Sequence, residues 1–112
     1  MERCFKKDWQ NMKYRVIIRP EAENDLKKAF EWYEDKRKGL GYDFLLQVDA
    51  GIRFIERNPN IHSITYKGTR THLVRRFPYK IIYIFEERKI IVLAVLHGKR
   101  SPDLIKKRIN NI

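Results

Sequence analysis

Apolar positions in this chain recur with two different periods, and the switch between them divides the sequence. Tyr14–Arg19 (YRVIIR) is a short β-branched run closed by Pro20 and reads as a strand. From Pro20 the spacing changes: Ala22, Leu26, Ala29, Phe30 and Tyr33 recur every three or four residues and form one apolar helical face. Pro20 suits the first helical position, Glu21 and Glu23 favour the helix N-terminus, and Lys36–Lys38 with Gly39 mark its end. A second helix runs from about Gly41, with Phe44, Leu45, Val48, Ile52 and Ile55 as its stripe, and stops at Asn58-Pro59. The short Lys38–Gly41 connection makes the pair an antiparallel helical hairpin.

Beyond Pro59 the period returns to two. Ser63–Lys67 is expected to form a short strand, followed by a turn or bulge at Gly68-Thr69. Thr69–Phe77 is expected to form a longer strand, with Thr71, Leu73 and Arg75 on one face and His72, Val74 and Arg76 on the other. Phe77-Pro78 interrupts it. Ile81–Phe85 and Ile90–Leu96 then flank the polar break Glu86–Lys89 and read as a β-hairpin. Both faces of these two runs are apolar, so they belong at the centre of a sheet covered on both sides. Past Pro102, Leu104, Ile105, Arg108, Ile109 and Ile112 outline a terminal helix. Residues 1–11 read as an extension, with a pattern too short to establish a lead helix. The order β-α-α-β-β-β predicts one α+β domain over residues 1–112, with a core of about 14–102 and a helical hairpin on a mainly antiparallel sheet.

Composition narrows the function classes. The 112 residues carry 25 Lys+Arg against 14 Asp+Glu, a net charge of +11, which points to a polyanionic partner, nucleic acid first and an acidic protein second. The acids concentrate in Glu21–Glu56, whereas Lys67–Arg76 and Lys99–Arg108 are basic. No apolar run approaches the roughly 18 residues of a membrane span. The opening MERCFKKDWQ has no apolar signal region, and the lone Cys4 fits a reducing cytoplasm. His62, His72 and His97 show no metal-ligand pairing spacing, so no metal is expected. No nucleotide loop is present and no small-molecule cofactor is expected.

What remains is a basic corner. Antiparallel pairing of the hairpin brings Arg75 and Arg76 close to His97, Lys99 and Arg100, with Lys67 and Arg70 upstream. Such a group could cleave RNA, with arginine and lysine stabilising the phosphorane and His97 moving a proton. It could equally dock a protein or nucleic acid, with His97 simply bonding the adjacent turn.

Three segments, YRVIIRPEAENDLKKAFEWYE, RRFPYKIIY and VLAVLHGKRSP, resemble the RelE/ParE superfamily of type II toxin–antitoxin toxins, also called plasmid-stabilisation proteins. The likeness covers about Tyr14–Pro102. It implies a compact cytoplasmic toxin neutralised by a cognate antitoxin that lays a helix and an extended strand on it, in an apolar groove. Candidate exposed apolar residues are Trp32, Tyr42 and Phe54. RelE-like members cut mRNA on the ribosome; on that pattern Arg75, Arg100, His97 and Lys67 would be catalytic. The late tyrosine of that pattern is missing, because SPDLIKKRINNI holds neither Tyr nor His. ParE-like members poison DNA gyrase without a catalytic set, and Phe77-Pro78-Tyr79 with Leu96-His97 and Arg100 looks closer to that branch. Arg70, Arg75, Arg76, Lys99 and Arg100 would then bind the target. A third reading keeps the fold as an inactive basic nucleic-acid-binding scaffold.

Overall fold

The computed structural model describes residues 2–3, 14–99 and 102–110. The elements follow in the order β1 (Glu2–Arg3), β2 (Arg15–Ile18), α1 (Pro20–Lys36), α2 (Leu40–Arg57), a single 3-10 turn (Tyr66–Gly68), β3 (Arg70–Leu73), β4 (Tyr79–Glu86), β5 (Lys89–His97) and α3 (Pro102–Asn110). The sheet runs β1-β2-β5-β4-β3. All neighbours are antiparallel except β2 and β5, whose register Arg15↔Lys89 to Ile18↔Val92 is parallel. The result is an α+β fold with the helical hairpin on one face of a mainly antiparallel sheet, as the apolar periodicities predict.

β5 lies at the centre because nearly every residue in it is apolar, and both of its faces are covered. On one face Ile81, Tyr83, Ile90, Val92 and Val95 pack with Phe44, Val48, Ile52 and Ile55 of α2 and with Ala22, Ala29 and Tyr33 of α1. On the other, Ile82, Ala94 and Leu96 are covered by Ile105 and Ile109 of α3. The register skips Leu93, since Ile82 faces Ala94 but Tyr83 faces Val92. This bulge redirects the end of β5.

The hairpin of α1 and α2 is closed by a side chain. Gly39 has φ +89, a left-handed conformation that glycine adopts without strain, and it precedes α2. The Glu34 carboxylate accepts the Gly39 N–H at 3.0 Å and the Gly41 N–H at 2.8 Å, satisfying donors that the start of α2 leaves open. A Cβ on Gly41 would meet the Phe30 ring and carbonyl at 2.7 Å, so only glycine lets the helices approach this closely.

Two expected strands differ. Ser63–Lys67 is not a strand: Lys67 (φ +52) and Gly68 (φ +76) form a tight turn, with the Thr69 N–H bonded to the Tyr66 carbonyl at 3.1 Å. The Thr65 and Thr69 hydroxyls bond carbonyls within the same loop, offering the backbone an alternative to strand pairing. The strand expected over Thr69–Phe77 is confined to β3, because Arg76 adopts φ +70 and turns the chain before Pro78. The lead segment, with Cys4, Phe5 and Trp9, falls outside the described residues apart from the Glu2–Arg3 strand.

The β4–β5 turn carries Glu87 (φ +49) and Arg88 (φ +63) between the paired Glu86 and Lys89. A two-residue turn with both centres at positive φ favours Asn or Gly, and a longer side chain is strained there. Glu87→Asn is therefore expected to raise the unfolding free energy by roughly 0.5 kcal/mol. A higher urea midpoint with an unchanged slope would be the reading; a lower midpoint would contradict it.

Candidate functional site

The end of the sheet where β5 finishes holds both features expected of a binding surface. Pairing of Tyr79 with His97, and a bond from the Gly98 N–H to the Pro78 carbonyl at 2.6 Å, draw the Arg75–Pro78 turn against His97–Lys99. Arg75, Arg76 and Lys99 are exposed at this end. His97 is half-buried with its ring edge-on to Tyr79 at 5.3 Å, and its Nδ1 accepts the Lys99 N–H at 3.0 Å. That bond holds the turn after β5 and occupies one of the two ring nitrogens. Arg100 lies outside the described residues.

Lys67 and Arg70 do not join this group. They sit at the opposite end of β3, where Arg70 pairs across the sheet with Tyr83. The Arg70 guanidinium donates to the Asn60 carbonyl at 3.3 Å, to the Asn60 side chain at 3.2 Å and to the His62 carbonyl. It fixes the loop after α2.

Beside the basic end runs an apolar groove of about 520 Å³ between α1 and the ends of β4 and β5. Ala29, Trp32, Tyr33, Tyr79 and Leu96 line it, with Asp25, Lys28 and His97 among the polar groups. β2 accompanies β5 only as far as Val92, so the far half of that β5 edge faces α1. There Asp25 Oδ2 accepts the Val95 N–H at 3.0 Å and a guanidinium N–H of Arg108 at 2.7 Å, tying α1, β5 and α3 together at one atom. Trp32 is 55% exposed, lies edge-on to Tyr33 at 5.0 Å and carries the Lys36 ammonium 4.7 Å above its ring. Burial raises the Tyr33 phenol above its ordinary pKa, and Tyr79 adds to the shift. Burial likewise raises Tyr83, so neither phenol ionises near neutrality.

Of the other apolar candidates, Tyr42 is exposed on the outer face of the hairpin and meets Phe30 edge-on at 4.9 Å. Phe54 is not exposed; it stacks on His72 at 5.2 Å.

His72 makes a contact that the spacing of the histidines does not announce. The spacing of His62 and His72 shows no pairing, yet the structure places His62 Nε2 and His72 Nδ1 2.9 Å apart. Only the fold could reveal this contact, because it depends on the Asn58–Thr69 loop curling back onto β3. Burial lowers the His72 pKa, and a charge on His62 lowers it further. The sign follows from proton counting. Below pH of about 6.5 the unfolded chain binds the proton that folded His72 resists, so stability is complete above that pH and falls as pH drops. Thermal melts are expected to show a midpoint declining below pH 6.5, and His72→Gln is expected to reduce that slope. Equal slopes in both proteins would show that His72 does not contribute.

Among the described residues no helix is long and apolar enough to cross a membrane, and no cluster of three His, Cys, Asp or Glu is placed to hold a metal. A helical hairpin on a mixed sheet is a fold that this chain shares with solved structures. The fold recurs in a chain of the chromosomal ParDE TA system from P. aeruginosa (TM-score 0.69, 14% identity, covering 79% of this chain and 98% of that one). It recurs in a mutant of the E. coli toxin RelE in the free state (TM-score 0.65, 15% identity, covering 90% and 99%). Sequence makes the assignment narrower. Residues 16–102 match the family model for the ParE toxin of the type II toxin–antitoxin system parDE. Toxin ParE2 of Mycobacterium tuberculosis (strain CDC 1551 / Oshkosh) is 30% identical over 100 residues, 88% of this chain and 95% of that protein. The chain belongs to the ParE family of type II toxins, and a cognate antitoxin is its implied partner.

Proposed function

We propose that this toxin acts in the cytoplasm as a single domain, poisoning DNA gyrase without cutting nucleic acid, and that its antitoxin occupies the α1–β5 groove. The carrying observation is the dispersal of the groups that RNA cleavage would need together. Lys67 and Arg75 lie at opposite ends of β3, Arg70 is committed to the Asn60–His62 loop, and His97 spends a ring nitrogen on the Lys99 backbone. Among the described residues the set is divided, with Lys67 and Arg70 a strand length from His97 and Arg75, and a divided set suits docking better than proton transfer. The exposed Arg75, Arg76 and Lys99 offer the target a basic contact surface. The groove offers an amphipathic partner segment an apolar floor with Trp32 as its anchor.

Two parallel assays of the purified protein test the reading. With gyrase and supercoiled plasmid, accumulation of cleaved DNA–gyrase complexes is expected, weakened by Arg75→Ala with Arg76→Ala. With translating ribosomes, the reporter mRNA is expected to stay intact. Site-specific mRNA cuts abolished by Arg75→Ala would overturn the proposal in favour of RelE-like cleavage. Silence in both assays would favour the inactive scaffold.

A further inference from the structure

Helix α2 is apolar on two opposite sides, and the fold uses one of them. Phe44, Val48, Ile52 and Ile55 bury that side in the core. Tyr42, Leu46 and Ala50, four residues apart, run along the other, and all three are exposed, Tyr42 at 61% and Leu46 at 66%. A surface helix carries polar residues on its outer side, whereas a helix apolar on both sides is one that is covered on both. Beside this stripe lies a shallow hollow of about 270 Å³ between α1 and α2. Leu26, Phe30, Tyr42 and Leu45 line it together with Lys27, and the Tyr42 ring stands edge-on to Phe30 at 4.9 Å.

The charge distribution favours a second copy of this chain as the cover. Residues 21–57 carry nine Asp or Glu against seven Lys or Arg, a net −2, although the whole chain is +11. The remaining residues therefore hold +13 (11 + 2). Two copies of so basic a chain repel one another wherever those residues meet, and the helical hairpin is the region across which they approach without that repulsion. The α2 stripe also complements itself when two copies run antiparallel. With a two-fold axis level with Val48, residues equally spaced before and after it stand opposite one another. Leu46 then meets Ala50 of the other copy, a large side chain against a small one, and Asp43 meets Arg53. Arg53 bonds Asp49 of its own helix at 2.8 Å, which places its cation on the same stripe.

We propose that Tyr42, Leu46 and Ala50, with the adjoining hollow, form the interface through which two copies of this chain pair antiparallel about a two-fold axis. The α1–β5 groove and this hollow share no lining residue, because they lie along different sides of α1. Pairing therefore leaves the groove of each copy open, and the dimer presents two.

Sedimentation velocity of the full-length protein over a concentration series tests this. The mass is expected to rise from the 13.7 kDa of one chain to twice that value. Leu46→Arg brings two like charges near the axis and is expected to weaken pairing by roughly tenfold or more. Its melting temperature should stay at the wild-type value, because the Leu46 side chain lies mostly in water. Asp43→Arg and Arg53→Asp, made in separate proteins, test the register. Each alone sets like charges opposite one another at both ends of the interface, and each is expected to stay monomeric where the wild type pairs. Mixed in equal amounts, the two variants set Arg against Asp at both ends and are expected to pair again, a recovery that a folding defect would not produce. A monomer at every concentration, pairing that survives Leu46→Arg, or a mixture that stays monomeric would each overturn the proposal. Pairing lost on Trp32→Ala and kept in Leu46→Arg would overturn it too, by placing the contact at the groove.

Discussion

Phe44→Ala is expected to lower the unfolding free energy by about 3–5 kcal/mol. Phe44 is fully buried in α2 and stacks at 5.4 Å on Tyr33, with Phe77 and Tyr79 edge-on at 5.4 and 4.9 Å. Truncation removes the ring's transfer free energy and leaves a cavity that these three aromatics cannot fill without leaving their positions. Small domains have a total stability of about 5–15 kcal/mol, so the variant should sit near the edge of folding. Urea unfolding followed by tryptophan fluorescence would measure it. The effect reaches function as well, because Tyr33 and Tyr79 are walls of the groove. A loss below about 1 kcal/mol would mean that the aromatic cluster repacks around the gap, and the groove with it.

Trp32→Ala is expected to have the opposite profile. With more than half its surface in water, Trp32 contributes little to the fold, and the melting temperature should barely move. Affinity for the antitoxin should fall on the order of 100-fold, since a tryptophan anchor closing on a partner is worth about 2–4 kcal/mol. Tyr42→Ala, on the outer face of the hairpin, serves as the control and should leave affinity near wild type. Isothermal titration of antitoxin into each variant separates the cases. Equal affinity for wild type and Trp32→Ala would place the antitoxin elsewhere, whereas a larger loss from Tyr42→Ala would move it to the outer hairpin face.

The sequence reveals the fold wherever periodicity alone decides structure. The two apolar runs Ile81–Phe85 and Ile90–Leu96 are apolar on both faces, and the structure covers both, with α1 and α2 on one side and α3 on the other. The helices are legible from their stripes, and their ends from Pro20, Gly39 and Asn58. Ser63–Lys67 misleads because a β-branched run says nothing about the hydroxyl bonds of Thr65 and Thr69 that curl it into a turn. The end of β3 misleads because positive φ at Arg76 has no local signature in an arginine.

Less of the candidate site is legible, for the same reason on a larger scale. Arg75, Arg76, His97 and Lys99 can be brought together on paper because a hairpin and its flanks are local. Charge alone groups Lys67 and Arg70 with them, but one strand length separates the two sets. The His62–His72 contact and the Asp25 junction each join residues from different elements. Such contacts depend on register and helix seating, which single-sequence patterns do not contain.

The parallel pairing of β2 with β5 gives the protein a schedule during its synthesis. Arg15 finds its partner only at Lys89, 74 residues later (89 − 15). At cellular rates of about 5–20 residues per second, a ribosome needs on the order of 4–15 s to make that interval. Until then the sheet lacks its central strand and α1 has no floor to close on. A nascent toxin therefore lacks both the groove and the basic end until β5 has been made. An antitoxin made beforehand need not compete with a folded toxin, because it can be waiting when β5 emerges.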